Sequence, residues 1–485
     1  MSIHLPHDSL SVRKQEIQAL ADAQAKNRDK WIKKNAFYYQ EDERYMRFLI
    51  PEGKKILDLG CGNGALLASL KPSYGLGVDL SSKMIAVAQS HHPQLHFACG
   101  DVEDATFMEQ LGSHGPFEFI VLSDTIGSLE DCQATLNLLH PLCSADTRII
   151  VSYYSRMWAP LLKMARMMGL QMPHPDQNWL STDDIANFLD LSQYETIKRE
   201  WRQLLPRNFF GLGYLVNRYI APLPIIRRLC LRNYIVARSL KQVVPQTLSA
   251  TVLIPCRNEK GNIEPAIERL PAFCQDIEII YVEGGSKDGT PEEIQRVIAK
   301  YPQLDIKMLT QDGKGKGDAV RKGFAHARGD VLLILDADLT MPPEALPKFY
   351  DAIASGKGEF INGTRLVYPM EQEAMRFLNL LANQTFSWLF SWLLNQRFTD
   401  TLCGTKVLTK KHYEAIAANR KYFGDFDPFG DFDLIFGASK LNLKVVEIPI
   451  TYASRRYGET QISRFRHGVL LLGMVIFAFK KLKAF

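Results

Sequence analysis

The stretch GDVLLILDADLT, residues 329–340, decides how the second half of the chain is read. Val331 to Leu335 form an unbroken apolar run, the pattern of a strand buried on both faces of a parallel sheet. The run ends in Asp336 and Asp338, two carboxylates separated only by Ala337. Ligands of open α/β sheets bind outside the carboxyl ends of the strands. Two acids this close repel, and one takes up a proton unless a cation holds both. Mg²⁺ or Mn²⁺ bridging a diphosphate answers that demand, since both ions prefer hard oxygen ligands. Such an ion stabilises the charge that grows on a departing nucleoside diphosphate.

Working outward, the same alternation of strand-length apolar runs and helical patterns begins at SATVLIPCRNE (249–259) and passes through IEIIYVEGG (277–285). An earlier series runs from KKILDLG (54–60) to TRIIVSYY (147–154). Both imply parallel βαβ units. The two series differ in motif and are not an internal repeat. Residues 1–50 read as polar helix, 155–205 are less regular, and 206–245 are rich in Pro, Arg and bulky apolar residues. A chain of 485 residues holds two or three domains of ~100–200 residues each. The expectation is an α/β protein with two doubly wound domains: residues 1–240, a linker at 241–249, and residues 250–485. NYIVARS (233–239) is read as the last strand of the first.

Composition narrows the class. A hydrophobic fraction of 46% and a charged fraction of 23% are those of a globular chain. The net charge of +5 is mild, and there is no compact basic run with interleaved aromatics, so no nucleic-acid partner is expected. The 8 cysteines are scattered singly, which argues against zinc and disulfides and fits a reducing compartment. The N-terminus lacks an apolar signal core, and no stretch reaches the ~18–20 apolar residues of a spanning helix. GVLLLGMVIFAF (468–479) is of a length for a buried or interfacial helix.

In the first half, ILDLGCGNGALLASL (56–70) is a strand, a glycine loop and a helix. Gly60, Gly62 and Gly64 let the backbone turn tightly and approach a ligand at a helix N-terminus. Three strand-end acids refine the ligand. Asp58 would repel a pyrophosphate but hold an ammonium. Asp79 suits a ribose diol. Asp101 is placed to accept from an adenine amino group. An adenosine with a cationic amino-acid tail and no phosphate is S-adenosylmethionine.

On these residues the segment from about 50 to 155 resembles the class I methyltransferases, with a Rossmann-like fold. The resemblance implies cofactor contacts from Asp58, Gly60, Gly62, Gly64, Asp79, Asp101, Val102 and Ser123. It also implies that FEFIVLSDTIGSLED (117–131) is the fourth strand and methyl-facing loop, with Ser123 and Asp124 at its end. The methyl acceptor is not legible. His91, His92, His114, His140 and His174 are available as bases in name only, and none is assigned.

In the second half, TVLIPCRNEKGNI, EIIYVEGGSKDGT, GKGKGDAVRKGFAHARGD and DADLTMPPE occur in that order. Together they resemble family 2 glycosyltransferases of GT-A fold, and within them the dolichol-phosphate mannose synthase group. The resemblance implies a donor pocket from Pro255, Arg257, Glu259, Glu283, Lys316, Asp336, Ala337 and Asp338. It implies metal ligands Asp336, Asp338 and Asp431, with Arg365 and Arg456 among the catalytic residues. FTDTLCGTK (398–406) resembles the acceptor-side loop, with Asp400, Cys403 and Lys406, and SRRYGET (454–460) the basic loop that closes over phosphates. Gly284 stands where relatives carry a second acid, Arg257 where an aromatic is common, Asp433 where a glutamate is, and Gln461 where a lysine is. QISRF (461–465) resembles a motif of processive polysaccharide synthases, but the several spanning helices of those enzymes are missing from this sequence.

The implied function is bifunctional: inverting, metal-dependent transfer of a sugar from a nucleotide-sugar to a polyprenyl phosphate, and methylation of a sugar, lipid or glycan precursor. The alternative is a glycosyltransferase acting on a glycan or protein, with one half serving as a scaffold. A polyprenyl acceptor requires a membrane surface. Phe377, Leu381, Trp388 and Trp392 at helical spacing, and the 463–485 segment with its basic flanks, make C-terminal amphipathic interface helices. The expected location is cytoplasmic, peripheral on the inner face of the membrane.

Overall fold

The computed structural model describes residues 10–174, 177–365, 367, 377–424, 427, 430–453, 455, 457 and 464–485; for 377–382 and 464–467 it describes the backbone alone. The chain divides into two compact units, Met1–Val243 with Ala484, and Val244–Lys483 with Phe485.

The first unit is built on seven strands: β1 Lys55–Leu59, β2 Tyr74–Asp79, β3 His96–Cys99, β4 Phe117–Ser123, β5 Cys143–Tyr154, β6 Tyr194–Arg202 and β7 Arg232–Ser239. Their order is β3-β2-β1-β4-β5-β7-β6. β1 to β5 pair in parallel, and β7 runs antiparallel between β5 and β6. NYIVARS is thus the last strand in sequence but an interior one in space, and all eight residues of β7 are buried. The chain moves outward from β1 to β3 and then returns to β4. The crevice of a doubly wound sheet forms where the order reverses, here beyond the carboxyl ends of β1 and β4. The less regular stretch after β5 holds helices Ala159–Met167 and Thr182–Leu191 as well as β6.

The second unit has β8 Ala250–Cys256, β9 Ile277–Glu283, β10 Asp305–Thr310, β11 Val331–Ile334, β12 Phe360–Thr364, β13 Lys406–Thr409 and β14 Val445–Pro449. Their order is β10-β9-β8-β11-β13-β12-β14, with β13 antiparallel to both neighbours. The reversal lies between β8 and β11, so β11 carries Asp336 and Asp338 to the crevice. Val331 to Leu335 are wholly buried. Burying a Val, Leu or Ile side chain is worth ~1.5–3 kcal/mol, which anchors the acids at the end of a fully buried strand.

Helices Phe377–Leu394 and Arg464–Ala478 follow. Among the described residues no helix is long and apolar enough to cross a membrane. Trp388 is exposed, but Trp392 is buried against the Phe479 ring, so the two tryptophans do not share an outward face. The side chains of Phe377 and Leu381 lie outside the described residues. On the second helix Val469, Leu472 and Ile476 are exposed, while Leu471, Met474 and Val475 are buried.

Candidate active sites

In the first unit the loop after β1 folds back on itself, and Gly60, Gly62 and Gly64 have φ of 81°, 54° and 74°. Only glycine enters that region cheaply. A side chain at Gly60 would also meet Thr125 Oγ1 at 2.2 Å. A cavity of about 280 Å³ opens over the loop, lined by Asp58, Gly60, Gly62, Asp79, Asp101, Val102 and Ser123. Gly64 is not in this lining. It caps helix Ala65–Ser69, and a side chain there would press on the Phe97 ring at 2.8 Å.

Asp58 is 2% exposed, and its Oδ1 has no hydrogen-bond partner. Burial, and then the charge of Asp79, push its pKa up to about 7. An orphaned buried carboxylate oxygen is costly unless a ligand's donor meets it, and an ammonium fits that need. Asp79 accepts from Gly62 N and Ser81 N, both at 2.9 Å, which leaves each carboxylate oxygen with further acceptor capacity. Burial raises its pKa too, against the pull of those amides.

No pattern in the sequence marks the cover. Helix Val12–Gln24, capped by Ser11, places Lys14, Ile17, Leu20, Ala21 and Gln24 in the cavity wall at helical spacing. Lys14 Nζ lies 2.5 Å from Asp101 and 3.1 Å from Glu103. An adenine amino group at Asp101 must therefore share it with Lys14. Gln18 donates to Leu80 O at 3.0 Å, and Ser81 Oγ donates to Asp22 at 2.5 Å. These partners lie too far apart in sequence for local patterning to reveal them.

At the β4 end, Asp124 has φ 65° and is ion-paired to Arg232, which is 0% exposed. Arg232 also reaches Asp42 at 3.1 Å and Ser152 Oγ at 3.0 Å, with the rings of Tyr38, Tyr154 and Tyr234 around it. Tyr38, Tyr39, Asp42, Asp124, Tyr154 and His174 line the cavity. The Tyr38 hydroxyl is buried without a hydrogen-bond partner, and burial raises its pKa. Of the five histidines weighed in the sequence, only His174 lines the cavity. Burial, then Arg28 and Arg166, push it down to about 4, so it is neutral at physiological pH. His140 is a core residue held by Ser239 Oγ and Ser192 O, each at 2.7 Å.

In the second unit the acids meet cations. Lys316, at the start of helix Lys316–His326, lies 2.6 Å from Asp336 and 3.7 Å from Asp431. Burial works against the Asp336 charge, but Lys316 holds the carboxyl below its ordinary range. For Asp431 burial wins over Lys316 and Lys406, and its pKa is raised. Asp338 accepts from Thr340 Oγ1 at 2.8 Å and from Arg455 at 2.8 Å, and Arg455 reaches on to Glu259 at 2.9 Å. Arg455 thereby ties the end of β11 to the loop after β8. Gly404 packs against the pair: a side chain there would lie 1.8 Å from Asp336 Oδ2 and 2.5 Å from Lys316 Nζ.

Arg365 is locked to Asp400 by two bonds of 2.6 and 2.8 Å. Lys406 is wholly buried, donates to Cys403 O and lies 3.9 Å from Asp431. Asp433 pairs with Arg420 at 2.9 Å. Arg456 and Gln461 lie outside the described residues. The hard-oxygen pair Asp336 and Asp338 suits a divalent cation, and the two acids pair with Lys316 and Arg455. Asp431 shares Lys316 with Asp336 and lies near Lys406 as well. Among the described residues Asp336, Asp338 and Asp431 do not offer three oxygens that all lie within 4.8 Å of one another.

The loop VEGGSKDGT is well fastened. Glu283 accepts from Ser286 N at 2.5 Å, Asn258 N donates to Ser286 Oγ at 2.9 Å, and Asp288 accepts from Lys260 N and Thr290 N at 3.1 Å each. Glu283 is 5% exposed, so it staples the turn as well as facing the strand end. A side chain at Gly284 would press on the far end of Gln311, at 2.9 Å from Oε1, with Arg257 Cβ and Cys256 O in ordinary contact at 3.5 Å.

Residues 32–202 match the family model described as "Methyltransferase domain", and residues 251–422 the model "Glycosyl transferase family 2". The chain is 32% identical over 219 residues to a dolichol-phosphate mannosyltransferase of Pyrococcus furiosus, covering 44% of this chain and 59% of that protein. It is 27% identical over 219 residues to an undecaprenyl-phosphate 4-deoxy-4-formamido-L-arabinose transferase of Pectobacterium carotovorum, covering 44% and 63%. The chain thus spans less than two thirds of the length of either relative. A crystal structure of a SAM-dependent methyltransferase, possible histamine N-methyltransferase, from Thermotoga maritima aligns at 14% identity and a TM-score of 0.36, covering 46% of this chain and 99% of that one. The chain therefore joins a methyltransferase domain to a family 2 glycosyltransferase domain.

Proposed function

We propose that the chain is a bifunctional enzyme. The second unit transfers a sugar from a nucleotide-sugar to a polyprenyl phosphate, and the first methylates a sugar, lipid or glycan precursor with S-adenosylmethionine. The observation that carries the first activity is the convergence of Asp336, Asp338, Lys316, Arg365 and Arg455 at the reversal of the second sheet, in a segment similar to polyprenyl-phosphate sugar transferases. The orphaned Asp58 oxygen at the reversal of the first sheet carries the second.

A polyprenyl phosphate is already anionic near neutral pH, so its attack on the anomeric carbon needs no strong base. The protein's task is to bring two anions together. Lys316, Arg365 and Arg455 supply positive charge on a rigid frame, the preorganised electrostatics that lower such barriers most. Asp336 and Asp338 would hold Mg²⁺ or Mn²⁺, which supplies charge neutralisation on the departing diphosphate. Lys316 and Arg455, beside those acids, would meet the phosphate oxygens. Direct displacement inverts the anomeric centre.

In the first unit Asp58 would pair the amino group of S-adenosylmethionine, Asp79 the ribose hydroxyls, and Asp101 with Lys14 the adenine edge. S-adenosylmethionine supplies the electrophilic methyl. Tyr38, Tyr154 and the Asp124–Arg232 pair stand where the acceptor would enter. The test is to incubate the protein with polyprenyl phosphates, a panel of nucleotide-sugars and a labelled methyl donor, and to identify the products by mass spectrometry. A glycosylated polyprenyl phosphate supports the reading. A glycosylated protein or glycan, with no lipid product, overturns it.

A further inference from the structure

We propose that the methyltransferase unit carries its own docking surface for an anionic lipid bilayer, formed by residues 205–229 together with helix Ala159–Met167. Residues 206–229, within the stretch 206–245 that its composition sets apart, are not in the lining of the first unit's cavity. Phe209 and Phe210 are both exposed, and Phe210, at φ 50°, precedes Gly211 at φ 88°. The helical stretch that follows exposes Leu212, Leu215 and Tyr219 at intervals of three and four, with Ile220 beside them.

Its uncharged polar residue points the other way. Asn217 is 2% exposed and bonded to both Leu205 N and Leu205 O, at 2.9 and 2.8 Å. The element is thus pinned with its apolar side to solvent, the reverse of an ordinary surface helix. Helix Ala159–Met167 and its flanks repeat the pattern: Met157, Leu161, Met164 and Met168 are exposed at intervals of three and four. Trp158 Nε1 donates to Leu229 O at 2.9 Å and ties the two elements together.

Charge selects the occupant. No Asp or Glu occurs from Trp201 to Asn258, nor from Ser155 to Pro175. Arg207, Arg228, Arg156 and Lys163 are exposed among the apolar residues. Arg228 stacks on Trp201 with its carbon 3.9 Å from the ring centre, and Arg218 packs on the rings of Tyr214 and Tyr219. Protruding aromatic and aliphatic side chains with only basic charge between them match an anionic headgroup layer over acyl chains. In water so large an exposed apolar surface is unfavourable, which calls for a cover. The inference rests on this surface alone and does not depend on which transfer either unit performs.

The test uses the full chain with Phe210→Cys carrying an environment-sensitive nitrobenzoxadiazole label, and Met164→Cys labelled likewise as the second element's reporter. The unmutated chain, labelled alike, gives the background of its own thiols. With vesicles of phosphatidylcholine containing phosphatidylglycerol, both probes are expected to brighten and shift to the blue. Brominated acyl chains should quench them, and high salt or Arg207→Glu with Arg228→Glu should weaken the response. Two results overturn the proposal. One is a probe that stays in a water-like environment on those vesicles, even if the chain sediments with them through other segments. The other is a blue shift without lipid that grows with protein concentration, which makes a second copy the occupant. Transfer assays on the same variants report separately on the proposed activities.

Discussion

Arg232 is the residue on which the first site turns. It is fully buried, and Asp42, Asp124 and three tyrosine rings enclose it. Removing one partner of a buried pair strands the other, at about 3–5 kcal/mol. Arg232→Met should therefore cost roughly that much, read as a lower urea midpoint for the methyltransferase unit with the glycosyltransferase transition unmoved. Asp58 gives a prediction in pH. Its raised value of about 7 means that it is charged above pH 7 and progressively protonated below. An ammonium ligand needs the charged form, so affinity for S-adenosylmethionine should fall toward ~tenfold per unit as pH drops below 7. It should fall again above about 8, where an α-amino group loses its proton. Calorimetry should show this bell, and Asp58→Asn should flatten its acid side; an unchanged profile would remove Asp58 from the site. Asp58, Asp79 and Asp101 were legible because each ends a strand. Arg232 and Lys14 were not, because their partners lie far away in sequence and nothing in a local pattern marks them.

Elements set what those residues can reach. Helix Val12–Gln24 is polar in composition, and the sequence marked it only as helical. Its role as a cover comes from the side chains at three- and four-residue intervals in the cavity wall. Cofactor binding should tighten it: amide exchange in 12–24 should slow by roughly tenfold or more with S-adenosylmethionine present. Unchanged exchange would mean the helix does not close on the ligand. In the second unit the loop before β13 is as tightly set. Gly404→Ala brings a carbon against Asp336 and Lys316, so sugar transfer should drop by about 100-fold or more while the unfolding transition holds. Near wild-type transfer would show that this loop yields freely. The Trp388 and Trp392 pair shows where helical spacing misleads. Residues four apart share a face of an isolated helix, but packing against Phe479 takes one of them inward.

At the scale of the molecule, the order of apolar runs and strand-end acids made both sheets legible. What it did not reveal was the place of β7 inside the first sheet, since an antiparallel insertion leaves no trace in an apolar run. The two units have separate sheets and cores, and one proposed site falls in each, so lesions in one should leave the other at work. The most direct test measures both products from one preparation, by mass spectrometry of the lipid and methylated fractions, for the wild type, Asp338→Asn and Asp79→Ala. The account predicts that Asp338→Asn loses sugar transfer by at least roughly 100-fold and keeps methylation, and that Asp79→Ala does the opposite. Sugar transfer that survives Asp338→Asn, or methylation that survives Asp79→Ala with cofactor affinity unchanged, would contradict it.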